Sequence, residues 1–431
     1  MFFVTRIKTR NPSILSKSFS LQNGELVSES GGRMIEGYGE KVELKSLEEF
    51  KNLLLKLSPS EALCYGVTNY KTVKIVSDKK LELLKSNSPS KISNTVSRTG
   101  RFFKWNSGPG IFMLDYDPVP GQPVLKREEL LDKLYQAWPA LRESPHLWRP
   151  STSSCIYNEL TNEELKGIRG QRVYVPVQNA EDIPRVGKVL FDTLWLNGEG
   201  HIVLSKSGSE LLRSIIDTSV WQKERLDFCG GASCREPLAQ RLEEPILINK
   251  DKPFIDTNKT LPPLSQELSV KVQEIKSQKS NQIKGKQSVL REKWIEERVR
   301  KCPEVKKELL LLAAQGCELK SDFILTTIEG TKITVEELLK NRSVWHGHKF
   351  LDPLEPDYYG GRPVGWINLN VPAPYLHSHA HGGARYALRG TEQTMTIYRD
   401  SLNAELLQNA KNKPSVILAG RQETSVEMGG R

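Results

Sequence analysis

Ile111-Phe112-Met113-Leu114-Asp115-Tyr116-Asp117 is a run of four apolar residues passing into two acids, and Pro118, Pro120 and Gly121 then break the chain. An apolar run of this length bounded by turn formers reads as a buried strand, so the carboxylates stand at a strand end. Side chains on a strand alternate between faces, so Asp115 and Asp117 share one face and can share a metal. Hard oxygen ligands suit Mg²⁺ or Mn²⁺ and phosphoryl chemistry. In isolation, such a pair is more often a solvated turn.

Working outward, strands and helices alternate from about residue 14 to 245. Phe19 to Val27 alternates around Asn23-Gly24 and predicts a hairpin. Ser46 with Glu49 forms a capping signal ahead of Leu47, Phe50, Leu54 and Leu57, and Ala62 to Val67 reads as a strand. A helix is expected from about Arg127 to Trp138, a strand over Val173 to Val177, and a helix over Ile183 to Leu196. His201 to Lys206 reads as a strand running into a second capping signal, Ser207-Gly208-Ser209-Glu210. Around Ser205-Lys206-Ser207-Gly208 this pattern would offer backbone N–H groups and a lysine to an anion, or be an ordinary helix cap.

After Pro245 the pattern changes. Residues 251–263 are polar and contain prolines, and residues 266–307 carry 12 Lys/Arg against 6 Asp/Glu. These read as a linker and a basic helical segment, either a connector or a nucleic-acid arm. Residues 308–431 form a further α+β region rich in Gly, Pro and His. The expected domains are therefore 14–245, 246–307 and 308–431.

Bulk properties agree with a folded, multi-domain chain. It has 431 residues, 38% of them hydrophobic, and a net charge of +10, which suits either a polyanionic partner or a soluble basic surface. The six cysteines are widely spaced, unlike a secreted disulfide framework, and no apolar run is long enough for a signal core or a membrane span. The expectation is a cytoplasmic protein with no membrane partner. No GxxxxGK[ST] loop occurs, so any unwinding needs a separate helicase, and GxGxxG and GxSxG are also absent. His346, His348, His377, His379 and His381 cluster late in the chain, with Cys302 and Cys317 upstream. Without a CxxC knuckle or HExxH helix, zinc is not expected. Cys229 and Cys234 read as buried small residues.

Two further elements follow the acid pair in order. Arg149-Pro-Ser-Thr-Ser-Ser-Cys-Ile-Tyr157 places hydroxyls and an arginine in a turn suited to phosphate. Ile216-Asp217-Thr218-Ser219-Val220-Trp221 supplies a third acid, with Arg225 eight positions on.

These three motifs resemble those of the archaeo-eukaryotic primases, especially the primase-polymerase branch of mobile genetic elements. Leu114-Asp115-Tyr116-Asp117 is similar to the family's acid-x-acid strand end. Ser153-Ser154-Cys155 resembles its Ser-x-His element, with cysteine where the family has histidine. Ile216-Asp217 resembles its third, apolar-Asp element. The resemblance covers residues 14 to 245. It implies an α+β catalytic core, an N-terminal α/β unit against an RRM-like palm, followed by a helical linker and a C-terminal accessory α+β region.

The resemblance also implies a DNA primase/polymerase, a nucleotidyltransferase using two Mg²⁺ or Mn²⁺ ions, nucleoside triphosphates and a single-stranded DNA template in the replication of a mobile element or phage. Asp115, Asp117 and Asp217 would hold the metals. Ser153 and Cys155 would lie at the nucleotide phosphates, with Arg149, Lys206, Ser207, Arg213 and Arg225 as further nucleotide-binding candidates. Because a neutral thiol is a poor phosphate donor, either Arg149, Lys206 or Arg213 stands in for the family histidine, or activity is weakened, or the second motif lies elsewhere in the chain. Asp227 is a rival third ligand, assigned instead to a supporting salt bridge. The alternatives are a replication initiator or nucleic-acid-binding protein with weak or lost catalysis and, last, a metal-dependent nuclease.

Overall fold

The computed structural model describes residues 1–31, 34–87, 92–119, 121–301, 306–380 and 383–411. Pro120, Cys302 and His381 lie outside them. The chain is mixed α+β and divides into two compact units, Met1–Val203 with Leu212–Gln282, and Leu204–Leu211 with Ile283–Arg431.

The first unit contains two main sheets. One comprises β1 (Phe2–Asn11), β2 (Glu36–Leu44), β3 (Glu61–Cys64), β4 (Thr72–Val76) and β5 (Thr95–Ser97), in the order β3-β1-β2-β4-β5. Helix α1 (Leu47–Lys56) begins where expected, because the Ser46 hydroxyl accepts the Glu49 N–H at 3.1 Å and caps a free donor. Asn23 and Gly24 adopt φ of 52° and 83°, the left-handed pair that closes the expected hairpin between Ser18–Gln22 and Glu25–Glu29.

The second sheet comprises β6 (Gly110–Tyr116), β7 (His146–Pro150), β8 (Gln171–Val177) and β9 (Ile246–Ile248), antiparallel throughout in the order β9-β7-β8-β6. Between them run α2 (Arg127–Ala137), leading from β6 to β7, and α3 (Ile183–Leu196) after β8. Strand β8 thus lies between β6 and β7, a split βαβ arrangement. The last strand, β9, pairs with β7; in an RRM sheet the fourth strand pairs with the first, which here is β6.

Period-two alternation decides what each face of this sheet does. Phe112, Leu114 and Tyr116 pack with Trp148, Val173 and Val175 against Leu130, Leu134, Val186 and Leu190 of the two helices. Ile111 and Met113 point the other way and pack with Leu147 and Tyr174 against Phe2, Val4, Leu63 and Tyr65 of the first sheet. A slip of one residue in β6 would exchange the two sets, so register is strongly specified, and with it the face on which Asp115 stands.

The first unit extends beyond the expected boundaries at both ends. It starts at Met1 because β1 is an internal strand of the first sheet, and it continues past 245 because β9 completes the second. Residues 251–263 are no free linker: Ile255 and Leu261 are buried in the core under α2 and α3. The basic segment is one helix, α4 (Gln266–Lys301), passing from the first unit into the second. It is not a free arm, since Lys276 pairs with Asp192 at 2.7 Å and Lys279 donates to the Gly200 carbonyl.

The second capping signal is corrected. No helix follows Ser207; a hairpin joins His201–Leu204 to Glu210–Arg213, with Gly208 at φ 72° in its turn. Glu210-Leu-Leu-Arg213 is too short to recover the cost of nucleating a helix, whereas the glycine admits the left-handed turn.

In the second unit, β10 (Glu318–Lys320), β11 (Lys349–Phe350), β12 (Gly365–Asn368), β13 (Tyr375–Ser378) and β14 (Ala384–Arg389) form a sheet in the order β10-β14-β13-β12-β11. Its inner residues Phe350, Ile367, Leu376 and Leu388 share one core with helix residues Leu310, Leu338, Tyr398 and Leu402.

Candidate functional site

The register of the second sheet sets Asp115, Arg172 and Arg149 side by side on β6, β8 and β7. All three therefore point toward the first sheet, just beyond the apolar layer. Arg172 Nε donates to Asp115 Oδ1 at 3.2 Å, and its Nη1 lies 2.5 Å from Asp227 Oδ1 and donates to the Phe228 carbonyl at 3.1 Å. Asp227 reaches this point because its backbone pairs with Leu63 on the edge of the first sheet. Its Oδ2 accepts the Tyr65 hydroxyl at 2.5 Å and the Tyr174 hydroxyl at 2.9 Å.

The two acids sharing Arg172 are not equivalent. The Asp227 side chain has no solvent exposure, an ion-pair contact to Arg172 at Oδ1 and two tyrosine hydroxyls donating to Oδ2, so it cannot serve as an accessible metal ligand and holds the two sheets together. Asp115 keeps 14% exposure and one longer bond. Burial pushes its carboxyl up to about 6, with Asp117 and Asp227 adding to the effect and Arg172 opposing it. For Arg172, burial works against the charge, but Asp227 and Asp115 outweigh it and hold the guanidinium well above its ordinary range.

The three motifs meet at one end of this sheet. Because β6 and β7 are parallel to each other, Asp117 and the Ser151–Cys155 turn both emerge at carboxyl ends, where ligands collect in open sheets. Gly170 separates them: a Cβ there would lie 2.7 Å from Ser151 Oγ and 3.2 Å from Asp117 Oδ1. Asp117 is exposed and makes no hydrogen bond or ion pair among the described residues. The third motif arrives through the backbone, since the Asp217 N–H donates to the Asp115 carbonyl at 2.8 Å, and Trp221 Nε1 fastens the same segment to the Met113 carbonyl at 2.9 Å.

Side chains complete the motifs unevenly. Asp217 accepts from the Ser219 N–H at 2.9 Å and hydroxyl at 2.6 Å, so both its oxygens have local partners. Ser153 Oγ lies 3.0 Å from Ser151 Oγ. Cys155 is buried at φ 59°, its N–H donating to Gly167, and burial pushes its thiol up to about 11; it presents no charge or strong donor to a phosphate. Arg149 is buried and donates to the Cys229 carbonyl at 3.2 Å. Arg225 is exposed. Arg213 stands near His201, whose pKa is lowered by burial and then by Lys279 and Arg213.

Lys206 and Ser207 belong to the second unit, in the hairpin turn, where the Ser207 N–H donates to Glu355 Oε1 at 3.2 Å. With no helix starting here, neither the anion cradle nor the ordinary helix cap is present, and this donor already serves a carboxylate.

Among the described residues, no three His, Cys, Asp or Glu side chains converge as a ready-made metal cluster. The chemistry of the donor set nevertheless fits a divalent cation. Asp115 and Asp227 share Arg172 and Asp117 adds a further, exposed carboxylate, so the acids at the sheet end outnumber the one guanidinium that pairs with them. The cysteines described, Cys64, Cys155, Cys229, Cys234 and Cys317, are all free thiols, and no helix of the described chain is long and apolar enough to cross a membrane.

Sequence reading missed Arg172. Its signal is an arginine inside Gln171-Arg-Val-Tyr-Val-Pro-Val177, a strand buried on both faces, where a charge requires a partner. No family model matches this chain, and no curated protein or solved structure shows significant similarity to it. The resemblance therefore stands on the three motifs alone.

Proposed function

We propose that the first unit is a metal-dependent nucleotidyltransferase of the primase-polymerase type, extending a nucleic acid strand on a single-stranded DNA template. The observation that carries this reading is the meeting of three distant motifs at one sheet end, with the Asp217 N–H on the Asp115 carbonyl and Gly170 between Ser151 and Asp117. Asp115 and Asp117 would hold Mg²⁺ or Mn²⁺, with Asp217 joining when its serine partner releases an oxygen. Bound there, the cation supplies charge neutralisation at the α-phosphate. Arg172 fixes the Asp115 carboxylate, the partly exposed Ser153 hydroxyl, 3.0 Å from that of Ser151, can orient phosphate oxygens, and Gly170 leaves room between Ser151 and Asp117. A separate helicase would supply unwinding.

The test is incorporation of labelled nucleotides on single-stranded templates with Mg²⁺ or Mn²⁺, with and without a primer, for wild type and Asp115→Ala/Asp117→Ala. Product from wild type that the variant fails to make supports the reading, and product without a primer makes it a primase.

One set of observations favours a second reading, a DNA-binding protein with weak catalysis: Cys155 is buried and the Asp217 oxygens are engaged. Template binding without product under either metal would establish it.

A further inference from the structure

The sheet of the second unit has one face in the core and one open. Lys349, Trp366, His377 and Arg385 stand in a single row across β11, β12, β13 and β14, because each is the register partner of the next. Tyr375 lies in the neighbouring row, opposite Asn368. The alternate residues Phe350, Ile367, Leu376 and Leu388 are buried with the helices, so these side chains face outward. Trp366 and Tyr375 are half-buried, while Lys349 and Arg385 are exposed.

This is not the short polar surface of an ordinary solvated sheet. The Trp366 and Tyr375 rings meet edge to face with centroids 6.2 Å apart, and the Arg385 guanidinium lies over Tyr375, 3.5 Å from its centroid. His346 approaches Trp366 at 6.5 Å. Charge is one-sided. The strands send Lys320, Lys349, Arg385 and Arg389 to this face and one carboxylate, Glu318, which both Lys320 and Arg389 bridge at 3.1 Å.

We propose that this open face is a stacking platform for single-stranded DNA, with bases on Trp366 and Tyr375 and backbone phosphates on Lys349 and Arg385. Flat aromatic surface suits unpaired bases, which expose their π-faces only when unpaired, and the flanking cations track the phosphates. A duplex hides its bases and gains nothing from the rings. An acidic polypeptide would meet the cations but leave the rings unused. The choice of DNA over RNA rests on the proposed function of the first unit; the stacking argument does not.

The experiment is fluorescence anisotropy of a labelled oligo-dT with the full chain across a salt series. Trp366→Ala and Tyr375→Ala are each expected to weaken binding by about 5- to 150-fold, and Trp366→Phe to restore most of it. Lys349→Ala and Arg385→Ala should each lower the slope of log affinity against log salt by about 0.7. Thermal melting of each variant confirms the fold. Binding is read in a chelator without nucleotides, so a wild-type chain that makes no product yet loses oligo-dT affinity on Trp366→Ala fails the polymerase reading alone and keeps this one. Alanine variants that bind like wild type, equal affinity for duplex, competition by poly-glutamate that survives Trp366→Ala, or binding of oligo-U without oligo-dT would each overturn the proposal.

Discussion

Asp115→Asn should stabilise the first unit while abolishing nucleotide transfer. A carboxyl held at about 6 against an ordinary 3.8 costs the fold about 3 kcal/mol when ionised. Between about pH 4 and 6 the folded chain keeps a proton that the unfolded chain has released. Wild-type stability therefore falls as pH rises through that window and levels off above it. The amide has no charge to desolvate and still accepts from Arg172 Nε, so the substitution should recover most of that cost at pH 8 and about 0.6 kcal/mol at pH 4. In urea, with a slope of about 3 kcal/mol/M, the wild-type to variant gap at pH 8 is a midpoint shift of about 1 M, measured in a chelator. Adding Mg²⁺ should then stabilise wild type and leave the variant unmoved, because only a cation held by Asp115 links its binding to folding. A variant less stable than wild type at pH 8 would refute the argument, since it would make Asp115 an ordinary structural partner of Arg172.

Arg172→Met leaves Asp115 and Asp227 buried without a counter-charge and should cost about 3–5 kcal/mol, read as a lowered urea midpoint. Arg172→Lys should recover little, because one ammonium cannot reach two carboxylates and the Phe228 carbonyl along the same directions. Gly170→Ala places a methyl 2.7 Å from Ser151 Oγ and should lower stability by about 1–3 kcal/mol and displace Asp117, seen in melting and in incorporation rate together. Asp217→Ala removes the Ser219 cap and should cost only about 1 kcal/mol of stability, yet eliminate most transfer; loss of stability with unchanged transfer would remove it from the site.

Much of the fold was legible because local patterns and tertiary contacts agree. The ends of α3 match the expectation residue for residue, and Ser46 caps α1 as its spacing requires. The hairpin after His201 was misread because Ser207 and Glu210 have capping spacing, while the deciding feature is a glycine turn that spacing does not register. Domain limits were misplaced at both ends because pairing is non-local: nothing within Phe2–Asn11 or Ile246–Ile248 announces the strand beside it. At the site, the acids were visible through their spacing, whereas Arg172 was not, because its partners lie 57 and 55 positions away in sequence. The role given to Asp227 agrees with the salt bridge that the structure contains.

The sharing of one guanidinium between two carboxylates bears on what Asp115 is for. A network serving stability alone would match one acid to each arginine, since an unmatched buried charge costs more than an apolar side chain of the same volume. Asp227 meets that condition, with Arg172 at 2.5 Å and two tyrosine hydroxyls. Asp115 does not, having one bond at 3.2 Å and a carboxyl raised by burial and by two other acids. Its cost falls at the end of a sheet where Asp117 is exposed and the Asp217 backbone is fastened alongside. Local departures from good packing are expected where a site must wait for a charged ligand, and a divalent cation would remove the deficit. The same reasoning makes Asp227→Asn the informative contrast: by removing one charge of the Arg172 ion pair at 2.5 Å it should lower the urea midpoint, the opposite sign to Asp115→Asn, although both acids touch the same arginine.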